Sequence, residues 1–318
     1  MSLRTIPETK RGTYRAIASG ALPNGKPVVV NSDGTVSVPA STISEPQVFE
    51  SASTTDISAA YDSNEEKIVV SYYGGNFGKG TAVVGSVSGT SLTFGTPVSL
   101  GVEIISNATT YDSNAQKVVI AYLDNENSSY GTAVVGTVSG TSISFGTPVV
   151  FNSGGTFTIA ATYDANAQKV VVAYKDNANS NYGTAIVGTV SGTSISFGTE
   201  AVFNTANGNI GSIVYDSSAQ KVVIAYQDFG NSDYGTAIVG TVSGTSISFG
   251  SAVVFETFDC RSISATYDSS EQKVVIAYRD HDNTEYGRAI VGTVSGTSIS
   301  FGTPSVFESA STLNIQPP

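Results

Sequence analysis

The sequence predicts an all-β fold, a β-propeller of four-stranded blades, and three observations carry that expectation. The stretch GTVSGTSISFGT stands at 136–147 and recurs from Gly188, Gly240 and Gly292, the copy from Gly240 ending in Ser251, with a variant, GSVSGTSLTFGT, at 85–96. A second marker, YDSNAQKVVIAY at 111–122, has relatives from Tyr61, Tyr163, Tyr215 and Tyr267, so the tyrosines stand 50 and then 52 residues apart. A period near fifty with four strand-like pieces per unit is the signature of a propeller blade. The composition agrees: only 13% of the 318 residues are charged, there are 33 glycines, and Ser, Thr and Val abound, which suits short strands joined by tight turns.

Each repeat divides into four strands, A to D. In the second repeat A approaches Tyr111, B is Lys117 to Tyr122, C is Thr132 to Ser139, and D is Thr141 to Phe151, bent near Gly146-Thr147-Pro148. KVVIAY and TAVVGTV are apolar on both faces, as strands buried between neighbouring blades must be. Strand D alternates, with Ile143 and Phe145 opposite Ser142 and Ser144, which is the pattern of a half-exposed outermost strand. Small residues precede the tyrosine of strand A, such as Ala160-Ala161, and suit a crowded axis.

Two regions are expected: an N-terminal basic arm with short strands over 1–47, and the propeller repeats over 48–318. Within the arm, Pro27 to Val30 and Thr35 to Val38 read as a hairpin around Asn31-Ser32-Asp33-Gly34. Five repeats are complete. Val306 to Thr312 copies Val48 to Thr54, so the C-terminus begins another strand A, and the N-terminal segment ends in a D-like piece. Six blades, the termini sharing the sixth, use every piece and remove exposed edges; five blades with a separate arm are the alternative.

Net charge is −11, which argues against nucleic acid and anionic membranes as partners of the body. Residues 1–26 carry a net +4, from Arg4, Lys10, Arg11, Arg15 and Lys26 against Glu8, and leave −15 on the remainder. Such an arm suits docking on something negative, so Arg4, Lys10, Arg11 and Arg15 are the anchoring candidates. The single cysteine, Cys260, makes no internal disulfide. The first residues contain no apolar signal-peptide core, and no run is long enough to span a membrane.

Variation between repeats falls in the B–C and D–A connections. The B–C segments read GGNFGKG, DNENSSYG, DNANSNYG, DFGNSDYG and DHDNTEYG; the D–A segments include NSGGTFTI, NTANGNIG and ETFDCRSI. In an up-and-down blade both sets emerge at one end, and variable loops on a rigid scaffold are where recognition is built. The binding candidates on that end are Asp124, Asp176, Tyr182, Asp228, Arg261, Arg279 and Asp280. The aspartates read equally as hairpin-turn residues, and Tyr130, Tyr182, Tyr234 and Tyr286 as packing between blades. Asp280-His281-Asp282 begins like a calcium loop but lacks its glycine and distal glutamate, so neither a metal nor any other cofactor is expected. Three arginines of the fifth repeat, Arg261, Arg279 and Arg288, invite comparison with a carboxylate pocket. No nucleophile, phosphate loop or acid–base pair accompanies them, and the protein is expected not to be an enzyme.

The repeat YDSNAQKVVIAY…GTAIVGTVSGTSISFGTPVVF, over 48–312, resembles repeats of bacteriophage virion proteins, tail-fibre, head-fibre and decoration proteins among them. The segment RAIASGALPNGKPVVVNSDGTVSV resembles the start of phage structural proteins. The resemblance implies a virion surface component, made in the host cytoplasm, anchored on capsid or tail proteins by its N-terminus and presenting the propeller to a host-surface glycan or the particle, alone or as a homo-oligomer. A soluble propeller lectin is the alternative reading.

Overall fold

The computed structural model describes residues 18, 29–31, 33–37, 46–282 and 285–312. Two units divide the chain: 1–46 with 89–91, and 47–88 with 92–318. In the first, Val29–Val30 and Val36–Ser37 form the expected hairpin, with Val30 opposite Val36. Its turn closes through Asn31, whose carbonyl accepts from the Gly34 amide at 3.0 Å. The Asp33 carboxylate accepts from both the amide and the hydroxyl of Thr35, which holds its pKa below the usual carboxylate range. The anchoring candidates Arg4, Lys10, Arg11 and Arg15 lie outside the described residues.

Among the described residues, the second unit contains five antiparallel sheets, one per repeat. In the second repeat strand A is Ile104–Asp112, B is Lys117–Asp124, C is Tyr130–Ser139 and D is Ser142–Phe145. Asp112 faces Lys117, Asp124 faces Tyr130, and Ser139 faces Ser142. The other four sheets follow the same plan. Successive inner strands pack side by side, and all five contribute to one channel of about 340 Å³, from Ser58 and Thr109 through Ala161 and Ser212 to Ala265. The architecture is that of a propeller, with small residues at the axis as the sequence requires.

Two expectations need correction. Strand D is not one bent strand over Thr141–Phe151. It stops at Phe145, and the chain returns to strand C at Val149, with Ala133 opposite Val149. The D–A connections of the later repeats are not loops. Val149–Asp164, Ala201–Asp216 and Val253–Asp268 are continuous 16-residue strands. Each begins on strand C of one sheet and ends as strand A of the next: Thr132 pairs with Val150, and Tyr163 with Val170. Their Gly, Asn and Ser content is tolerated because backbone partners exist on both sides, which is what a strand needs more than propensity.

The core lies between sheets. Val119, Ala121 and Leu123 of strand B face forward onto Val170, Val172 and Tyr174 of the third sheet, while Val118, Ile120 and Tyr122 face back onto the first. An aromatic trio repeats at the junctions from the second sheet to the fifth: Phe151 lies 5.3 Å from Tyr174 and 5.4 Å from Phe197, and Phe203, Tyr226 and Phe249 match it. Tyr72, Tyr122, Tyr174, Tyr226 and Tyr278 are fully buried, and burial is the first cause that raises each phenol, Tyr72 to about 12. A phenol with a raised folded pKa stabilises the fold below its unfolded value near 10 and loses that stabilisation above it. Each should therefore cost about 1.4 kcal/mol per pH unit above 10. Chemical denaturation between pH 8 and 11.5 should show a flat then steeply falling stability, and a flat profile throughout would refute the burial of these hydroxyls.

The glycine of the Phe-Gly pair that ends strand D in every repeat has a packing cause. A Cβ on Gly146 would sit 1.8 Å from the Thr193 carbonyl oxygen of the next sheet's C–D turn, and Gly95, Gly198 and Gly250 stand equally close to Thr141, Thr245 and Thr297. Only glycine permits that approach. Gly302 has the same sequence context, yet among the described residues the nearest atom to its Cβ position is 3.8 Å away, within its own sheet. The outward face of the fifth sheet is also open. Val291 is 46% exposed where Val84, Val135, Val187 and Val239 are at most 1%, and Phe307 is 57% exposed where Phe151 and Phe255 are buried. At the other end Tyr61 is 57% exposed. Its counterparts Tyr215 and Tyr267 accept hydrogen bonds from turn amides of the preceding sheet, Asn166 and Ser218, at 3.2 Å.

Candidate functional site: a cleft between the fourth and fifth sheets

The two ends of the sheets differ in kind. At one end lies the A–B turn, the same in every repeat. Asp112 accepts from the amides of Asn114 and Ala115 at 3.0 and 2.9 Å, and Asp62, Asp164, Asp216 and Asp268 repeat this. At the other end the B–C turns stand beside the crossing strands: Tyr130 pairs with both Asp124 and Gly155. The variable segments thus share one end, as the repeat pattern requires.

Most of the binding candidates on that end are occupied by structure. Asp124 is buried and accepts from the amides of Glu126 and Asn127 at 3.1 Å. Asp176 is buried and caps Ala178 and Asn179, and Asp228 caps Gly230. They are Asx-turn residues, the reading the sequence held open beside ligand binding. Tyr182 opens strand C of the third sheet, half-buried, opposite Asp176 and Asn207.

The three arginines of the fifth repeat do not converge on a pocket. Arg261 grips Asp259, with Nε 3.1 and 2.9 Å from the two carboxylate oxygens and Nη2 2.6 Å from the second. Arg279 Nη1 donates to the Thr312 carbonyl at 3.4 Å. Arg288 Nη2 lies 2.9 Å from Asp280, which is wholly buried, and Nη1 lies 3.9 Å from Glu256. The cause is compensation. In the third and fourth sheets an asparagine amide meets the turn aspartate, Asn152 on Asp176 and Asn204 on Asp228, both at 3.2 Å. In the fifth, Glu256 replaces that asparagine, so two buried carboxylates meet, and Arg288 replaces the threonine of Thr132, Thr184 and Thr236 and places one cation between them. Tyr278 also donates to Glu256 at 2.9 Å.

An open site remains at the junction of the fourth and fifth sheets. A cleft of about 520 Å³ is bordered by Gln227, Phe229 and Asp233 on one side and Cys260, Arg261 and Ile263 on the other, with Asn209 to Gly211 below. Gly211 opens it, since a Cβ there would meet the Ile263 side chain at 2.4 Å. Phe229 begins a short 3-10 turn that replaces the usual B–C turn, and its ring is exposed. Asp259 and Gln227 are buried behind, with Gln227 Nε2 donating to Asp259 at 2.8 Å. Cys260 is buried, its thiol pushed well up first by burial, and it is packing. Arg261 is held charged above its ordinary value by Asp259. Asp259, His281 and Asp282 present ligand atoms within 4.8 Å of one another, but Asp259 is already bound to Arg261 and His281 Nδ1 pairs with Glu285 at 3.1 Å.

Equivalent positions at the other junctions hold different chemistry. The places of Gln227, Asp259 and Arg261 are taken by Tyr73, Glu103 and Ile105, by Leu123, Gly155 and Phe157, and by Lys175, Asn207 and Asn209. Lys175 is spent on Asn209 at 3.1 Å and lies 5.9 Å from the Phe157 ring centroid. Of the binding candidates named from sequence, only Arg261 lines the cleft. Gln227, Phe229, Asp233 and Asp259 were missed. The signal that could have found them is this comparison of non-identical positions across repeats.

No known family model matches the chain, and neither does any curated protein sequence. Solved structures do resemble it. The BP39L lectin of Burkholderia pseudomallei superposes with a TM-score of 0.62 at 13% identity, over 88% of this chain and 79% of the lectin. A lectin of Aleuria aurantia, solved with Fucα1-6GlcNAc, gives 0.51 at 14% identity over 80% and 79%. AofleA of Arthrobotrys oligospora gives 0.52 at 10% identity over 83% and 73%. The chain shares the fold of β-propeller lectins.

Proposed function

We propose that the protein is a carbohydrate-binding propeller whose ligand site is the cleft between the fourth and fifth sheets. One observation carries the reading: an exposed aromatic ring, Phe229, lines the same cleft as Gln227 and the exposed Arg261, whose guanidinium is held by the buried Asp259, itself bonded to the buried Gln227. An aromatic face takes the apolar side of a pyranose, and fixed guanidinium, amide and carboxylate groups take its hydroxyls. The likeness to lectins, one of them solved with a fucosylated disaccharide, supports the choice of ligand class. A glycan array with the full chain should give binding that Arg261→Ala and Phe229→Ala each weaken by at least ~tenfold. Arrays blank for every glycan would end the reading.

The finer architecture we propose is six blades, the sixth drawn from the two terminal segments. The open face around Val291 and Phe307, the exposed Tyr61 and the unexplained glycine at 302 support it. The phage-surface setting implied by the repeat resemblance is compatible with a glycan-binding end. Antibody labelling of purified particles tests it, and absence of the chain from them would refute it.

A further inference from the structure

We propose that Asp259 is a specificity-determining residue that confines the cleft to neutral sugars, and this rests on the carbohydrate reading above. An arginine in a sugar site usually suggests a carboxylated ligand, because a guanidinium fork matches a carboxylate. Here that fork is already filled. Asp259 holds Nε and Nη2 of Arg261 with three contacts between 2.6 and 3.1 Å. Asp259 is itself 6% exposed and is fixed from behind by Gln227 at 2.8 Å, so it cannot swing aside for an incoming acid. Asp233 also lines the cleft, on the side of Gln227 and Phe229, and adds a second negative charge. One cation thus faces two carboxylates in a half-enclosed cleft, and a uronic or sialic acid would meet net repulsion.

For a neutral sugar the same pair is favourable. Nη1 of Arg261 takes no part in the grip on Asp259 and offers donors, while the Asp233 carboxylate accepts from hydroxyls. No charge has to be desolvated without a partner, which is the usual cost of an arginine in a cleft. The other junctions lack this guanidinium–carboxylate pair, so the selectivity belongs to one site per chain.

The test is titration calorimetry of the full chain with methyl glycosides of neutral hexoses and 6-deoxyhexoses, against methyl glucuronide and a methyl sialoside. The unmodified chain should bind a neutral glycoside at one site per chain, with affinity unchanged between roughly 0.05 and 0.5 M salt, and should reject both acids. Asp259→Asn keeps the shape and the bond from Gln227 but frees the guanidinium, and should raise affinity for the acids by ~tenfold or more. Asp233→Asn, on the cleft wall, should relax the rejection by several-fold and serves if the first variant misfolds. Acids bound as tightly as neutral sugars by the unmodified chain, or no gain in either folded variant, would overturn this proposal and leave the carbohydrate reading intact. A chain that binds no glycoside of either kind would overturn both.

Discussion

Arg288→Thr should destabilise the protein by about 3–5 kcal/mol, the range for removing one partner from a buried ion pair. The substitution restores the residue found at this place in the earlier repeats, so on repeat consensus alone it should be harmless. The structure says otherwise. It would leave Glu256, 6% exposed, and Asp280, 0% exposed, facing each other without a cation. Adding Glu256→Asn to Arg288→Thr should recover all but about 1 kcal/mol, because the pair then becomes the asparagine–aspartate contact of the third and fourth sheets. Denaturant midpoints of the two single variants and the double variant measure the coupling. Additive losses would mean that the three side chains do not act as a unit.

The second large effect is expected at the repeated Phe-Gly-Thr. Gly198→Ala should cost about 3 kcal/mol or more, since its methyl would lie 1.9 Å from a backbone oxygen that cannot move without its sheet. Gly302→Ala is the informative partner. Among the described residues nothing of a neighbouring sheet approaches it, so without a sixth blade its methyl would change stability by no more than ~0.5 kcal/mol. If the terminal segments complete a sixth blade, the loss at 302 should match the loss at 198. Val291→Lys gives a second reading of the same question, with Val239→Lys as the buried standard. A tolerated lysine at 291 and a tolerated alanine at 302 together would refute the sixth blade.

How much of this was legible in the sequence depends on what each feature repeats. Strands B and C were readable because Val118 to Leu123 and Ala133 to Val135 are buried on both faces, and burial on both faces leaves an unbroken apolar run. The crossing strands were not readable, because NSGGTFTI and NTANGNIG carry turn residues; their order comes from hydrogen bonds to two other strands, which local pattern does not encode. The aspartates of the B–C turns drew attention as a repeated acidic feature, yet repetition was the clue to a structural role: every turn needs its cap. The cleft is the opposite case. Gln227 and Arg261 are unique among their equivalents, and they meet only across a junction between repeats.

The crossing strands also decide how the molecule comes apart. Val149–Asp164 gives the second sheet its outer edge and the third its innermost strand, and the next two crossings do likewise. No sheet in this series can melt alone, since the strand that leaves one is torn from its neighbour as well. Thermal unfolding should then run through the series as a single transition, unlike a stack of separable repeats whose ends fray first.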